Sequence, residues 1–166
     1  KVSLRDARML PRIAIVDPAL TDDCPRGVTL ASGLDALAQV IEPYVSAKAT
    51  PFTDALTLPV IAPGLAALSR LMQAEDAGAR DTMAWVSVSG GMALANGGLG
   101  AVHGLAGVIG GVTPAAHGAI CGALLGPVLA MNRDHAPDPA RAVEICDEIA
   151  QILDCAPADA PQALAR

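Results

Sequence analysis

Residues 82–132 contain no Asp, Glu, Lys or Arg. A run that long must be shielded from water on most sides, by lipid or by the rest of a folded domain. Small-xxx-small spacing such as Gly100 and Gly104 is compatible with helices packed in a bilayer. Against that stand Asn96, His103, Thr113, Pro114 and His117 within the run, glycine in place of dense Leu and Phe, no flanking excess of Lys or Arg, and no aromatic belt. The run is therefore read as the centre of a helical domain, and no membrane partner is expected.

Composition agrees. With 52% hydrophobic residues but a single Trp, Tyr and Phe among 166 residues, the core must be made of Leu, Val, Ile and close backbone contacts. That favours tightly packed helices over a β-sandwich. The net charge of −6 and the lack of any basic cluster exclude nucleic acid as an expected partner. Cys24, Cys121, Cys146 and Cys155 form no CxxC pair and follow no secretory segment, which predicts reduced thiols in a cytoplasmic protein. Lys1 opens directly into a strand-like lead without an initiator Met, so the chain is expected to be a fragment.

The expected architecture is an all-α helical bundle with one short N-terminal strand. Residues 12–17, Arg-Ile-Ala-Ile-Val-Asp, read as that strand because β-branched residues run up to Asp17-Pro18. Ser32 with Asp35 predicts a helix start, and the helix runs to about Ser46 with a bend or early end at Pro43. Pro59 and Pro63-Gly64 predict two short helices between Thr53 and Gln73. Further helices are expected over Ala77–Asn96, Ala101–Gly110, His117–Asn132 and Pro139–Leu153, followed by a weakly specified tail beyond Ala156. Trp85 and Cys121 read as core packing, and His135 as a solvated turn residue.

Polar groups inside an uncharged core require partners. His103 and His117 are each satisfied either by a carbonyl hydrogen bond or by a shared metal, and spacing alone does not choose. Asp35, set between Leu34 and Ala36-Leu37, needs a cation or a capping role with Ser32. Gln39, one helical turn after Asp35, shares its face and is a weaker ligand than imidazole.

Two segments carry a resemblance that covers nearly the whole chain. Ala14-Ile-Val-Asp17, Pro25, Ser32-Gly-Leu-Asp35-Ala-Leu and Glu42 form the first. Gly98-Leu-Gly-Ala-Val-His103, then Pro114-Ala-Ala-His117-Gly118, Leu124-Leu-Gly-Pro127-Val and Asn132, form the second. In order and spacing they resemble the C-terminal domain of iron-containing (group III) alcohol dehydrogenases. The resemblance implies a lead strand and interdomain linker over 1–25, a helical metal-binding domain over 26–166, and an N-terminal nucleotide-binding domain lying outside the chain. It implies one divalent metal, iron or alternatively zinc, held by Asp35, His103 and His117, with Gln39 at the fourth ligand position. It also implies NAD or NADP, a small alcohol or carbonyl substrate, and a homo-oligomer.

The family usually has histidine at the positions of Gln39 and Gly107. Without one at Gly107, the alcohol proton has to leave by water, by another side chain or by the cofactor ribose. Maleylacetate reductases and glycerol dehydrogenases share the fold and vary at the ligand positions. A non-catalytic, metal-free binding domain of the same fold is the reading from a different class. Gly97-Gly98-Leu99-Gly100 follows a predicted helix, not a strand, so it is not a dinucleotide loop.

Overall fold

The computed structural model describes residues 6–164, so the first five residues of the expected 1–25 lead and the last two of the expected 26–166 domain lie outside the described residues. Among the described residues seven α-helices follow one another: α1 Arg26–Tyr44, α2 Pro51–Leu71, α3 Ala77–Gly97, α4 Ala101–Val112, α5 His117–His135, α6 Ala140–Leu153 and the short α7 Ala160–Ala163. The all-α expectation holds.

The expected strand does not form among the described residues. Residues 13–17 belong to no helix or strand, and Ile13 and Ile15 are 79% and 89% exposed. A strand exists only as part of a ladder, and this segment pairs with none.

Local chemistry explains the starts of α1, α2 and α3. The Thr50 hydroxyl accepts from the Thr53 N–H while Thr53 Oγ1 accepts from the Thr50 N–H, a capping box that starts α2 with Pro51 at its first position. Asp76 accepts from Ala79 N at 2.9 Å and starts α3. Ser32 caps nothing: α1 begins two turns earlier, directly after Pro25, which has φ −50°. Proline's fixed φ suits the entry to a helix, and this overrides the Ser32 signal.

The other correction concerns α2, which is one helix and not two. Pro59 and Pro63 lie inside it, and both are exposed, as is Ala55 one turn earlier. The carbonyls freed by the missing N–H groups therefore fall on the solvent side, where water satisfies them, while the opposite side carries Val60, Ile61, Leu65 and Leu68 into the core. By length and hydropathy α2 could also cross a bilayer, but here it packs on α1 and α3.

Helix α1 lies at the centre, against α2, α3 and α5. Its Leu37 and Val40 are fully buried and Ile41 is 1% exposed. Burying each such side chain contributes roughly 1.5–3 kcal/mol. The near absence of aromatics is met by close helix approach, as expected. A Cβ on Gly118 would overlap the Ala31 carbonyl oxygen of α1, and one on Gly122 would sit 2.5 Å from Leu34 Cδ1. These glycines let α5 lie directly on the part of α1 that carries Asp35.

The charge-free run is thus divided among α3, α4 and α5. Between α3 and α4 the chain bends by 101°, a turn for which Gly98 adopts φ +73°. Trp85, expected in the core, is 57% exposed on α3, off the buried line of Val86, Ser89, Gly90 and Ala93. His135 is exposed at the end of α5, and α7 seats Ala160 in the core, so the tail is better specified than its composition suggests.

Candidate metal centre

Three helices bring the candidate ligands together. Asp35 and Glu42 lie two turns apart on α1, His103 is in the first turn of α4, and His117 is the first residue of α5 with Cys121 one turn behind it. One ligand atom from each of Asp35, His103, His117 and Cys121 lies within 4.8 Å of all the others. The convergence expected of Asp35, His103 and His117 is therefore present.

His103 anchors the arrangement. Its Nε2 is 3.1 Å from Asp35 Oδ1 and its Nδ1 is 2.6 Å from Glu42 Oε2. His117 Nε2 stands 3.8 Å from the same Asp35 oxygen and 3.6 Å from Cys121 Sγ. The two imidazole rings are 5.6 Å apart and tilted by 58°, as befits rings aimed at a common point rather than stacked.

Among the described residues the charged partner of Glu42 is His103, and Glu42 is 3% exposed. Its Oε1 accepts from Val102 N at 2.7 Å, so a side chain of α1 caps the start of α4, whose own N-cap residue, Gly100, has no side chain to offer. A Cβ at Gly100 would come within 2.8 Å of that oxygen, which makes glycine the residue that fits. Glu42 is thus a site group that sequence reasoning left without a role. Its signals were its place in the first motif segment and a carboxylate seven residues after Asp35 on an apolar helix.

Gln39 lies beside Asp35 and donates Nε2–H to Asp35 Oδ2 at 3.3 Å. Cys121, read from sequence as packing only, is buried in the core and also belongs to the donor cluster. Gly107 lies one turn beyond His103 on α4, exposed and with nothing near the place a Cβ would occupy.

Electrostatics follow from this packing. Burial disfavours the charged form of His103, but hydrogen bonds to Asp35 and Glu42 outweigh it and raise its pKa to about 9. Burial likewise pushes Asp35 up, yet the contacts with His103 and Cys121 leave it below the ordinary carboxylate value. Burial, with Asp35 adding to it, pushes the Cys121 thiol up to about 12.

The donor set fits a divalent cation. A carboxylate oxygen, two imidazole nitrogens and a sulfur converge from fixed helices, and a buried carboxylate orients one imidazole from behind. A cleft of about 480 Å³ opens onto Asp35, Gln39 and His117 between α1, α3 and the start of α5. That volume suits a small organic ligand.

Comparison with known proteins agrees with this geometry. Residues 29–166 match the Fe-containing alcohol dehydrogenase family, C-terminal. The chain is 40% identical over 134 residues to the NAD-dependent methanol dehydrogenase of Bacillus methanolicus, covering 80% of this chain and 35% of that protein. It is 36% identical over its whole length to alcohol dehydrogenase 4 of Schizosaccharomyces pombe, covering 39% of it. Among solved structures, an iron-containing alcohol dehydrogenase from Thermococcus thioreducens superposes with a TM-score of 0.80 at 28% identity, over 96% of this chain and 41% of that one. A 1,3-propanediol oxidoreductase superposes with a TM-score of 0.74 at 32% identity, over 90% and 39%. The chain spans less than half the length of each of these relatives.

Proposed function

The chain belongs to the Fe-containing alcohol dehydrogenase family, matching its C-terminal part, and on that premise we propose that it is the metal-binding half of an oxidoreductase that interconverts a small alcohol and an aldehyde or ketone using NAD or NADP. The observation that carries this reading is the convergence of Asp35, His103 and His117 from α1, α4 and α5. Two histidines held by carbonyls would have no reason to meet a carboxylate on a third helix.

In this reading Asp35, His103 and His117 hold the metal. Glu42 keeps Nδ1 of His103 engaged so that Nε2 points at Asp35, and Gln39 steadies the far oxygen of Asp35 beside the fourth ligand position. When bound, the metal supplies Lewis-acid polarisation of the alcohol or carbonyl oxygen, and the nicotinamide accepts or returns the hydride. The cleft beside Asp35 and His117 receives the small-molecule substrate.

The nicotinamide half is proposed to lie outside residues 1–166, with 1–25 as the lead into the helical domain. Gly97 to Gly100 follow α3, a helix, and so lack the strand–turn–helix setting of a dinucleotide loop. Four free cysteines support a cytoplasmic setting. Exposed apolar side chains such as Phe52, Trp85 and Met131 support assembly into a homo-oligomer.

The test pairs metal content with turnover. The full-length protein is expected to carry about one metal per chain and to reduce NAD or NADP with a short-chain alcohol. Asp35→Ala and His117→Ala should lose both properties, and residues 1–166 alone should show no turnover. Metal-independent turnover by full-length Asp35→Ala would refute the reading.

A further inference from the structure

The Gln39 position leaves the expected ligand set one imidazole short, and the structure places a different donor at the same centre. Cys121 Sγ lies 3.6 Å from His117 Nε2 and within 4.8 Å of the ligand atoms of Asp35 and His103. We propose that Cys121 supplies the fourth donor, completing an Asp35–His103–His117–Cys121 set that favours zinc over iron. This inference rests on the metal-centre reading above and goes beyond it in donor and metal.

Bond geometry supports it. Bonds of about 2.3 Å to sulfur and about 2.0–2.1 Å to nitrogen or oxygen, at tetrahedral angles, separate sulfur from nitrogen by about 3.5 Å and nitrogen from oxygen by about 3.4 Å. The observed separations lie close to these values: 3.6 Å for Cys121 Sγ to His117 Nε2, and 3.1 and 3.8 Å, on either side of the expected distance, from Asp35 Oδ1 to the two imidazole nitrogens. Cys121 reaches the centre because it lies one helical turn after His117 and so shares its face of α5. Gly118 and Gly122 allow that face to touch α1.

Charge and softness point the same way. Coordination releases the thiol proton to solvent, and the resulting thiolate with the Asp35 carboxylate balances a dication held by two neutral imidazoles. Thiolate is a soft ligand that favours zinc over the harder iron(II), and zinc also binds mixed donor sets more tightly in the general order of divalent metals.

X-ray absorption at the zinc edge of the zinc-loaded full-length protein, compared with its Cys121→Ser variant, tests this. The expected result is one sulfur neighbour at about 2.3 Å in the parent. That neighbour should be absent in Cys121→Ser, with zinc affinity lower by on the order of tenfold or more. In the cobalt-loaded protein, a sulfur-to-cobalt charge-transfer band should vanish in the same variant. Circular dichroism and Cys121→Ala control for folding. Stoichiometric zinc, lost in Asp35→Ala but surrounded only by nitrogen and oxygen, overturns the thiolate ligand and leaves the metal-centre reading standing. A sulfur neighbour that persists in Cys121→Ser assigns it to another cysteine and also overturns the proposal, whereas failure to bind any divalent metal overturns both readings.

Discussion

His103 Nδ1 lies 2.6 Å from Oε2 of Glu42, and through this contact a buried carboxylate of α1 sets which imidazole nitrogen faces Asp35. The same carboxylate caps α4 through Val102 N. Orientation of a ligand and the start of the helix that carries it therefore depend on one side chain. Glu42→Gln keeps the volume and an acceptor but removes the charge. It is expected to lower metal affinity about 10–100-fold while leaving the fold intact. Glu42→Ala also strips the acceptor from the buried Val102 N–H and should cost about 1–3 kcal/mol in denaturant unfolding. Unchanged metal affinity in both variants would show that Glu42 serves α4 alone.

Metal-free protein should become less stable as pH rises above neutrality. The folded-state pKa of His103 is raised from 6.5 to about 9 by Asp35 and Glu42. A raised histidine contributes stability that is fully present below the unfolded value and is lost as pH climbs through the folded one. The Tm of chelator-treated protein should therefore fall between pH 6.5 and 9, the window set by those two values. Asp35, held below its ordinary value, contributes in the opposite sense, and its share is lost only on strong acidification. Metal replaces the His103 proton, so the loaded protein should show a flatter profile over the same alkaline window, and binding near neutral pH should release this proton together with the Cys121 thiol proton, detectable by calorimetry in buffers of different ionisation enthalpy.

Glycine substitutions should separate close helix contact from idle flexibility. At Gly118 an added Cβ overlaps a backbone oxygen of α1, which cannot move aside as a side-chain tip can. Gly118→Ala is expected to destabilise the fold by about 1–3 kcal/mol or more, and to weaken metal binding by shifting His117 away from Asp35. At Gly91, on the exposed side of α3, nothing lies within 4 Å. Gly91→Ala should stabilise by roughly 0.5–1 kcal/mol with no effect on metal. Equal effects at the two positions, measured by thermal denaturation, would refute the packing account.

Much of this was legible in the sequence because the deciding chemistry is local. Ala77, Ala101 and His117 were read as helix starts from turn residues and apolar spacing alone, and α3, α4 and α5 begin there. The errors arose where tertiary contact decides. Pro59 and Pro63 read as breakers because sequence does not show that both face water, and Ser32 read as a cap because it precedes Asp35 by three residues. Asp35, His103 and His117 stood out as costly groups in an apolar context. Glu42 and Cys121 did not, since one acts on residues about 60 positions away and a buried thiol looks like any small apolar side chain.

Gln39→His should reveal whether residues 39 and 121 are alternative providers of one donor. Gln39 already contacts Asp35 Oδ2 at 3.3 Å, so an imidazole at this position starts within reach of the same centre. The backbone there is tightly held, since a Cβ at Gly90 of α3 would lie 3.0 Å from Gln39 Cβ, and the new ring has little freedom to turn elsewhere. In the parent background, Gln39→His is expected to increase retention of iron relative to zinc, because it adds nitrogen to a set otherwise closed by sulfur. In a Cys121→Ser background it should restore most of the metal affinity that the serine variant loses, on the order of tenfold. Two independent sites would give additive effects and no such rescue. A double variant that binds metal no better than Cys121→Ser would show that the side chain at 39 does not reach the centre, and that the position acts only by holding Asp35.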